Sequence, residues 1–243
     1  MERFDGHYHP TQILADFLTI QEKWGTGRRQ MVFAGDGRNN MANSLMIGCA
    51  KMGLHFVIAA PETLQPEESL RLDCQALADA TGGSITVTED LESACQDADV
   101  LYTDVWCSMG EEDKMAERVQ LLAPYQINAG IMKKAKDTAI FLHCLPAVKG
   151  NEVTKDVFES PQSVVFDEAE NRMHTIKAVM VATIGNRYAS DGGNRKWIRF
   201  ESESSALQDT RGRVGSILYS HPAAEIVNLS SKSYAGQLQQ SVP

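Results

Sequence analysis

The chain has 243 residues, 43% of them hydrophobic, which excludes a disordered chain and a disulfide miniprotein. Thirty-two acidic against 23 basic residues leave a net charge of −9, which argues against nucleic acid or an anionic membrane as partner, so an anionic ligand needs a local basic site. No apolar run is long enough for a membrane span or a signal peptide, and the five scattered cysteines suggest neither a disulfide framework nor a zinc site, so a soluble cytoplasmic protein is expected.

The predicted elements begin with a helix over 10–24, with Ile13, Leu14, Phe17, Leu18 and Ile20 on its apolar side. From Gln30 onward short apolar runs alternate with helical periodicities, the rhythm of βαβ units. Strands are predicted over 31–34, 56–59, 85–88, 100–103 and 140–143. A helix follows Asn40, with Met41, Leu45, Met46, Cys49 and Met52 at helical spacing and Gly53 as its stop. A second runs over 66–80, with Pro66 in its first turn, Glu67 and Glu68 complementing the helix start, and Leu70, Cys74 and Leu77 facing inward. The last helix is predicted over 167–184, with Asp167, Glu168 and Glu170 at its N-terminus, Met173, Ile176, Val179, Met180 and Ile184 along it, and Gly185 as its stop. Beyond it the composition turns Ser-, Gly- and Gln-rich without a sustained period, and 187–243 reads as a divergent, partly disordered tail. The expected fold is α/β, a doubly wound parallel sheet with its ligand site at the carboxyl ends of the strands.

Five segments carry candidate chemistry. His9-Pro10-Thr11-Gln12 sets an imidazole and a carboxamide at a helix start, where a phosphate or a polarised carbonyl fits; His9 or Thr11 as a simple cap is the alternative. Gly35-Asp36-Gly37-Arg38-Asn39-Asn40 lies where a dinucleotide fold binds pyrophosphate, yet it lacks the third glycine, and no acid ends the next strand. Asn39 and Asn40 either donate to a ligand carboxylate or form an ordinary capped turn. Asp104, at the end of the fourth strand and four residues before Ser108-Met109-Gly110, suits an ammonium group, or else caps the following segment. His143-Cys144-Leu145-Pro146 ends the fifth strand, and Arg172 stands on the last helix, where a guanidinium could grip a phosphate or form a surface ion pair.

Taken together, His9-Pro10-Thr11-Gln12, Asp104 with Ser108-Met109-Gly110, His143-Cys144-Leu145-Pro146 and Asn171-Arg172-Met173-His174 resemble, in order, the HPxQ, D…SMG, HCLP and last-helix elements of the ornithine carbamoyltransferases. The resemblance runs from about Phe4 to Gly185. It implies transfer of a carbamoyl group from carbamoyl phosphate to the δ-amine of L-ornithine, giving L-citrulline and phosphate, with no metal or organic cofactor. It assigns His9, Gln12, Cys144, Arg172 and the Leu145 carbonyl to carbamoyl phosphate, and Asn40, Asp104, Ser108 and Met109 to ornithine, with Cys144 beside the reacting amine. Asp104, Cys144 and Arg172 are the catalytic candidates.

The resemblance also implies a division into a crossover helix with part of the carbamoyl phosphate site (1–27), an ornithine-binding domain (28–165), a C-terminal crossover helix (166–186) and the tail (187–243). The two crossover helices are expected to pack together with exposed outer apolar faces. The family's Ser-Thr-Arg-Thr-Arg loop and the domain that carries it have no counterpart in the sequence, since Asp209-Thr210-Arg211-Gly212-Arg213 lacks the leading serine. The family's trimer implies a homo-oligomer. The alternative expectation is a truncated, catalytically impaired relative that binds an amino acid or serves as an interaction subunit, with ornithine held better than carbamoyl phosphate.

Overall fold

The computed structural model describes residues 6–25, 27–107 and 114–184. Five parallel strands, β1 (Gln30–Ala34), β2 (His55–Ala59), β3 (Ser84–Thr88), β4 (Val100–Thr103) and β5 (Ile140–Leu142), form one sheet in the order β3-β2-β1-β4-β5. The order reverses between β1 and β4, so the chain leaves their carboxyl ends in opposite directions and opens a crevice there. The α/β doubly wound parallel sheet expected from the βαβ rhythm is the observed fold.

Strand residues alternate between two cores. Met31, Phe33, Phe56, Ile58, Tyr102 and Leu142 face α1 (Pro10–Trp24), α2 (Asn40–Met52) and α3 (Glu68–Thr81). Val32, Ala34, Leu101 and Phe141 face the opposite side, covered by α4 (Leu91–Cys95), α5 (Met115–Leu122), α6 (Ala129–Met132) and α7 (Lys155–Phe158). The two-residue period of the strands makes this division automatic.

Most predicted boundaries move by a residue or two. The fifth strand stops at Leu142 instead of His143, because the His143 amide donates to Glu168 Oε2 at 2.9 Å and so leaves the ladder. α3 begins at Glu68, with Pro66 outside it: Glu67 is extended (φ −59, ψ 133) and forms the N-cap. Leu70, Cys74 and Leu77 do pack against the core.

The last helix, α8 (Val165–Ile184), starts two residues before the predicted Asp167, since the Val164 carbonyl already accepts from the Glu168 amide. Gly185 and the tail lie outside the described residues. α8 lies along α1, as expected, but its inward face is polar: Glu168, Asn171 and Thr175 are buried while Phe166, Met173 and Met180 are exposed. Glu168 is therefore not a solvated acid at a helix terminus. Asn171 Nδ2 donates to Thr19 Oγ1 (2.9 Å) and Glu22 Oε2 (2.8 Å) on α1, so the two helices meet through hydrogen bonds as much as through apolar contact.

Candidate functional site

The loop after β1 carries the first site residues. Gly35 takes φ +137, and a Cβ on Gly37 would lie 2.8 Å from the Leu64 carbonyl oxygen and 2.9 Å from Ile58 Cγ2. These glycines thus serve a turn and a close approach to the chain after β2, which explains them without a pyrophosphate. Asp36 accepts from Arg118 Nη1 at 2.7 Å, a largely buried ion pair that ties α5 to this loop. Asn39 caps α2 through Ala42 N (2.7 Å), and its Nδ2 donates to Asp104 Oδ2 at 3.1 Å. Both readings of the asparagine pair meet in Asn39, except that the carboxylate it serves is the protein's own. Asn40 is the first residue of α2 and is half-buried.

Asp104 leaves the end of β4 and gathers donors from three segments. Besides Asn39, its Oδ1 accepts from Val105 N (2.7 Å) and from the Cys144 thiol (3.1 Å). Burial raises the Asp104 carboxyl, against the opposing pull of His143 and of its two Oδ1 donors. Burial, reinforced by Asp104, also pushes the Cys144 thiol well above its usual value of 9.0. Cys144 is therefore a neutral donor at physiological pH and not a thiolate nucleophile. His143, fully buried, accepts from Leu145 N at Nδ1 (2.9 Å), and its Nε2 lies 3.3 Å from the equally buried Glu152 Oε1. Ligand atoms of Asp104, His143 and Cys144 lie within 4.8 Å of one another, yet each side chain is engaged in the hydrogen bonds just described, which account for the cluster. Leu145 stands at φ +57, a conformation that branched side chains rarely adopt.

The second group of residues lies where α1 and α8 cross this edge. His9 occupies the N-cap position of α1, but its side chain makes no capping bond; its amide donates to Ser44 Oγ (2.7 Å), which ties it to α2. Gln12 does not share an open face with His9: it is 1% exposed, and its Nε2 donates to Asp16 Oδ1 (2.8 Å) and Glu168 Oε1 (3.0 Å). Tyr102 from β4 donates to the same Glu168 oxygen at 3.2 Å. Burial lifts the Asp16 carboxyl from 3.8 to about 7 and raises Glu168 as well. Arg172, one turn beyond Glu168 and half-buried, directs its charge toward Asp16 and so opposes that rise.

Asp104, Cys144 and Leu145 thus cluster at the β4–β5 end, with Asn40 across the crevice at the start of α2. Gln12 lies in the α1–α8 seam, where the Arg172 charge acts on Asp16, with His9 against α2. Ser108, Met109 and Gly110 lie outside the described residues. Sequence reasoning missed Asp16, Tyr102, Glu152 and the inward role of Glu168. The signal was present: Gln12, Asp16 and Thr19 repeat at helical spacing on the face of α1 that also holds Ile13, Phe17 and Ile20, and Glu168, Asn171 and Thr175 do so on α8.

Residues 28–183 match the family model of the aspartate/ornithine carbamoyltransferase Asp/Orn binding domain. An ornithine carbamoyltransferase of Pseudothermotoga lettingae is 61% identical over 180 residues, a match covering 73% of this chain and 57% of that protein. One from Thermotoga maritima is 56% identical over 179 residues, with the same coverage. Among solved structures, the ornithine carbamoyltransferase of Pyrococcus furiosus superposes with a TM-score of 0.71 at 46% identity, covering 74% of this chain and 57% of that one. The chain spans well under two thirds of the length of these relatives.

Proposed function

The chain belongs to the aspartate/ornithine carbamoyltransferase family, and from that membership we propose that it takes part in carbamoyl transfer from carbamoyl phosphate to the δ-amine of L-ornithine. The observation that carries the reading is the Asp104 carboxylate, held by Asn39, Val105 and Cys144 at the switch point of the sheet. A buried, fixed carboxylate accepts hydrogen bonds from an incoming amine and aligns its lone pair.

In this reading the neutral δ-amine attacks the carbamoyl carbon, the carbonyl oxygen takes up negative charge, and collapse of the tetrahedral intermediate breaks the C–O bond to phosphate, which leaves with the proton that the amine gives up. Asp104 positions the amine, and Cys144 stays a thiol that donates to Asp104. Asn40, Ser108 and Met109 bind the rest of ornithine. His9, Arg172, the Gln12 carboxamide and the Leu145 carbonyl hold carbamoyl phosphate, with His9 and Arg172 offsetting the developing charge. The unusual φ of Leu145 supports a site role for its carbonyl, since strained backbone gathers where function requires it. We further propose that the chain works as a homo-oligomer in the cytoplasm.

The test is citrulline formation by the purified chain with both substrates, together with calorimetric titration of each substrate alone. Asp104→Asn should abolish turnover and weaken ornithine, leaving carbamoyl phosphate affinity within about threefold. Ornithine binding that is indifferent to Asp104→Asn would refute the assignment.

A further inference from the structure

The seam between α1 and α8 holds two buried carboxyl groups that the carbamoyl transfer reading does not use. Asp16 is 0% and Glu168 1% exposed. Three donors converge on Glu168: Gln12 Nε2 and Tyr102 OH on Oε1, and the His143 amide on Oε2. Asp16 receives Gln12 Nε2 on Oδ1, with Tyr102 also within reach of its carboxyl, and its buried Oδ2 accepts from no donor among the described residues. A buried carboxylate oxygen without a donor is costly, and the cost disappears if that oxygen carries a proton and becomes a donor itself. Glu168 lies within hydrogen-bonding reach of the Asp16 carboxyl.

We infer that Asp16 and Glu168 share one proton, held on Asp16, and that the pair acts as a positioning device which locks the Gln12 carboxamide with its NH2 turned into the seam and its oxygen turned out of it. The inference deepens the carbamoyl transfer reading, since Gln12 is assigned there to carbamoyl phosphate. With both Nε2 hydrogens committed to the two carboxyl groups, the amide cannot flip. Its Oε1, buried and accepting from no donor among the described residues, is left to accept from an N–H of a ligand. Burial holds both carboxyls above their usual range, so a proton stays on the pair. The three donors on Glu168 favour the anion there, and the undonated Oδ2 of Asp16 favours the proton on Asp16.

The charged and titratable groups facing the pair are Arg172 on α8, Tyr102 on β4, Cys49 on α2 and Cys144 after β5. Of these only Arg172 is charged at neutral pH, which leaves one net negative charge of the pair opposite one positive charge. Tyr102 and the His143 amide extend the lock to the ends of β4 and β5, so the orientation of Gln12 is tied to the segments that hold Asp104 and Cys144.

Asp16→Asn reproduces the proposed state, its carbonyl accepting from Gln12 and its NH2 donating to Glu168. Asp16→Ala and Glu168→Gln do not; the latter must turn an NH2 toward one of the three donors that Glu168 now accepts from. Three readouts on the whole chain at pH 7 follow. Infrared spectroscopy should show a carboxylic acid C=O band that Asp16→Asn removes and the exposed-site control Asp79→Asn leaves in place. Hydrogen exchange of the Gln12 side-chain amide, followed by NMR, should be unchanged in Asp16→Asn and at least tenfold faster in Asp16→Ala and Glu168→Gln. Carbamoyl phosphate affinity should follow the same order, within about threefold for Asp16→Asn and at least tenfold weaker for the other two.

An acid band that survives Asp16→Asn, or Gln12 exchange as fast in Asp16→Asn as in Asp16→Ala, would overturn the inference. If the infrared and exchange results hold while the wild-type chain fails to bind carbamoyl phosphate, the pair stands and the assignment of Gln12 to that substrate falls.

Discussion

Gly48, in the middle of α2, lies tightly against α1: a Cβ there would lie 2.6 Å and 2.7 Å from Phe17 Cε2 and Cζ and 2.8 Å from Ile13 Cγ2. Gly48→Ala sets two effects against each other. Alanine in a helix interior is favoured over glycine by about 1 kcal/mol. Three contacts below 3.0 Å force the Phe17 ring and Ile13 to move, and overpacking of this kind costs about 1 to 3 kcal/mol. Packing should win, for a net loss of about 1 kcal/mol and a Tm lower by about 2 to 4 °C in calorimetry. Gly37→Ala makes the comparison sharper. Its Cβ would meet the Leu64 backbone oxygen at 2.8 Å, where no side chain can rotate away, and Gly37 lies outside the helices, so no helical gain offsets the clash. It should cost more than Gly48→Ala. Because Ile13 adjoins Gln12, Gly48→Ala should also weaken carbamoyl phosphate binding more than ornithine binding. A Tm raised by Gly48→Ala, or Gly37→Ala the milder of the two, would show that the close approach of α1 to α2 yields without cost and that the reasoning fails.

Asn39→Ala removes an N-cap and a donor to Asp104, and should lower stability by about 1 to 2 kcal/mol in urea titration; Asn39→Asp keeps the cap but sets two carboxylates together, so its deficit should grow as pH rises from 5 to 8. Cys144 should react with iodoacetamide at pH 7.5 far more slowly than a free thiol, and Asp104→Asn should accelerate it several-fold, as read by peptide mass spectrometry; labelling at the free-thiol rate would contradict the raised thiol. Folded Asp16 holds a proton, up to about pH 7, that the unfolded chain releases near 3.8, so its penalty is absent below about pH 4 and complete above about pH 7. Asp16→Asn should therefore gain stability relative to wild type across that window, and a difference independent of pH would refute the raised Asp16.

The sheet and α1 were legible in the sequence because they depend on local periodicity and on punctuation such as Pro10, Asn39 and Gly53. Asp104, Cys144 and Arg172 were legible as chemistry at element ends or on a helix. Asp16 and Glu168 were not, because an acid on an apolar helix face is explained only by a partner that is distant in the sequence. Glu168 was misread for a further reason: three acids close to a predicted helix start look like complements to the helix dipole, and only the burial of Val165 beneath the second core moves that start back to a place where Glu168 points inward. Asn39 carries two functions at once, and spacing alone could suggest either but not both.

The hydrogen bonds that build the site join residues far apart in the chain: Asn39 to Asp104 across 65 positions, Asp104 to Cys144 across 40 and Gln12 to Glu168 across 156. Pairings of this separation are late events in folding, since long loops must close before they contribute. β1, β2 and β3, with α2 and α3 between them, can assemble from neighbouring sequence, but no part of the pocket exists until β4 and β5 join β1 and α8 returns to α1. A ligand of this pocket therefore discriminates between complete and half-assembled chains, and its binding shifts the population toward the former in proportion to RT ln(1 + [L]/Kd).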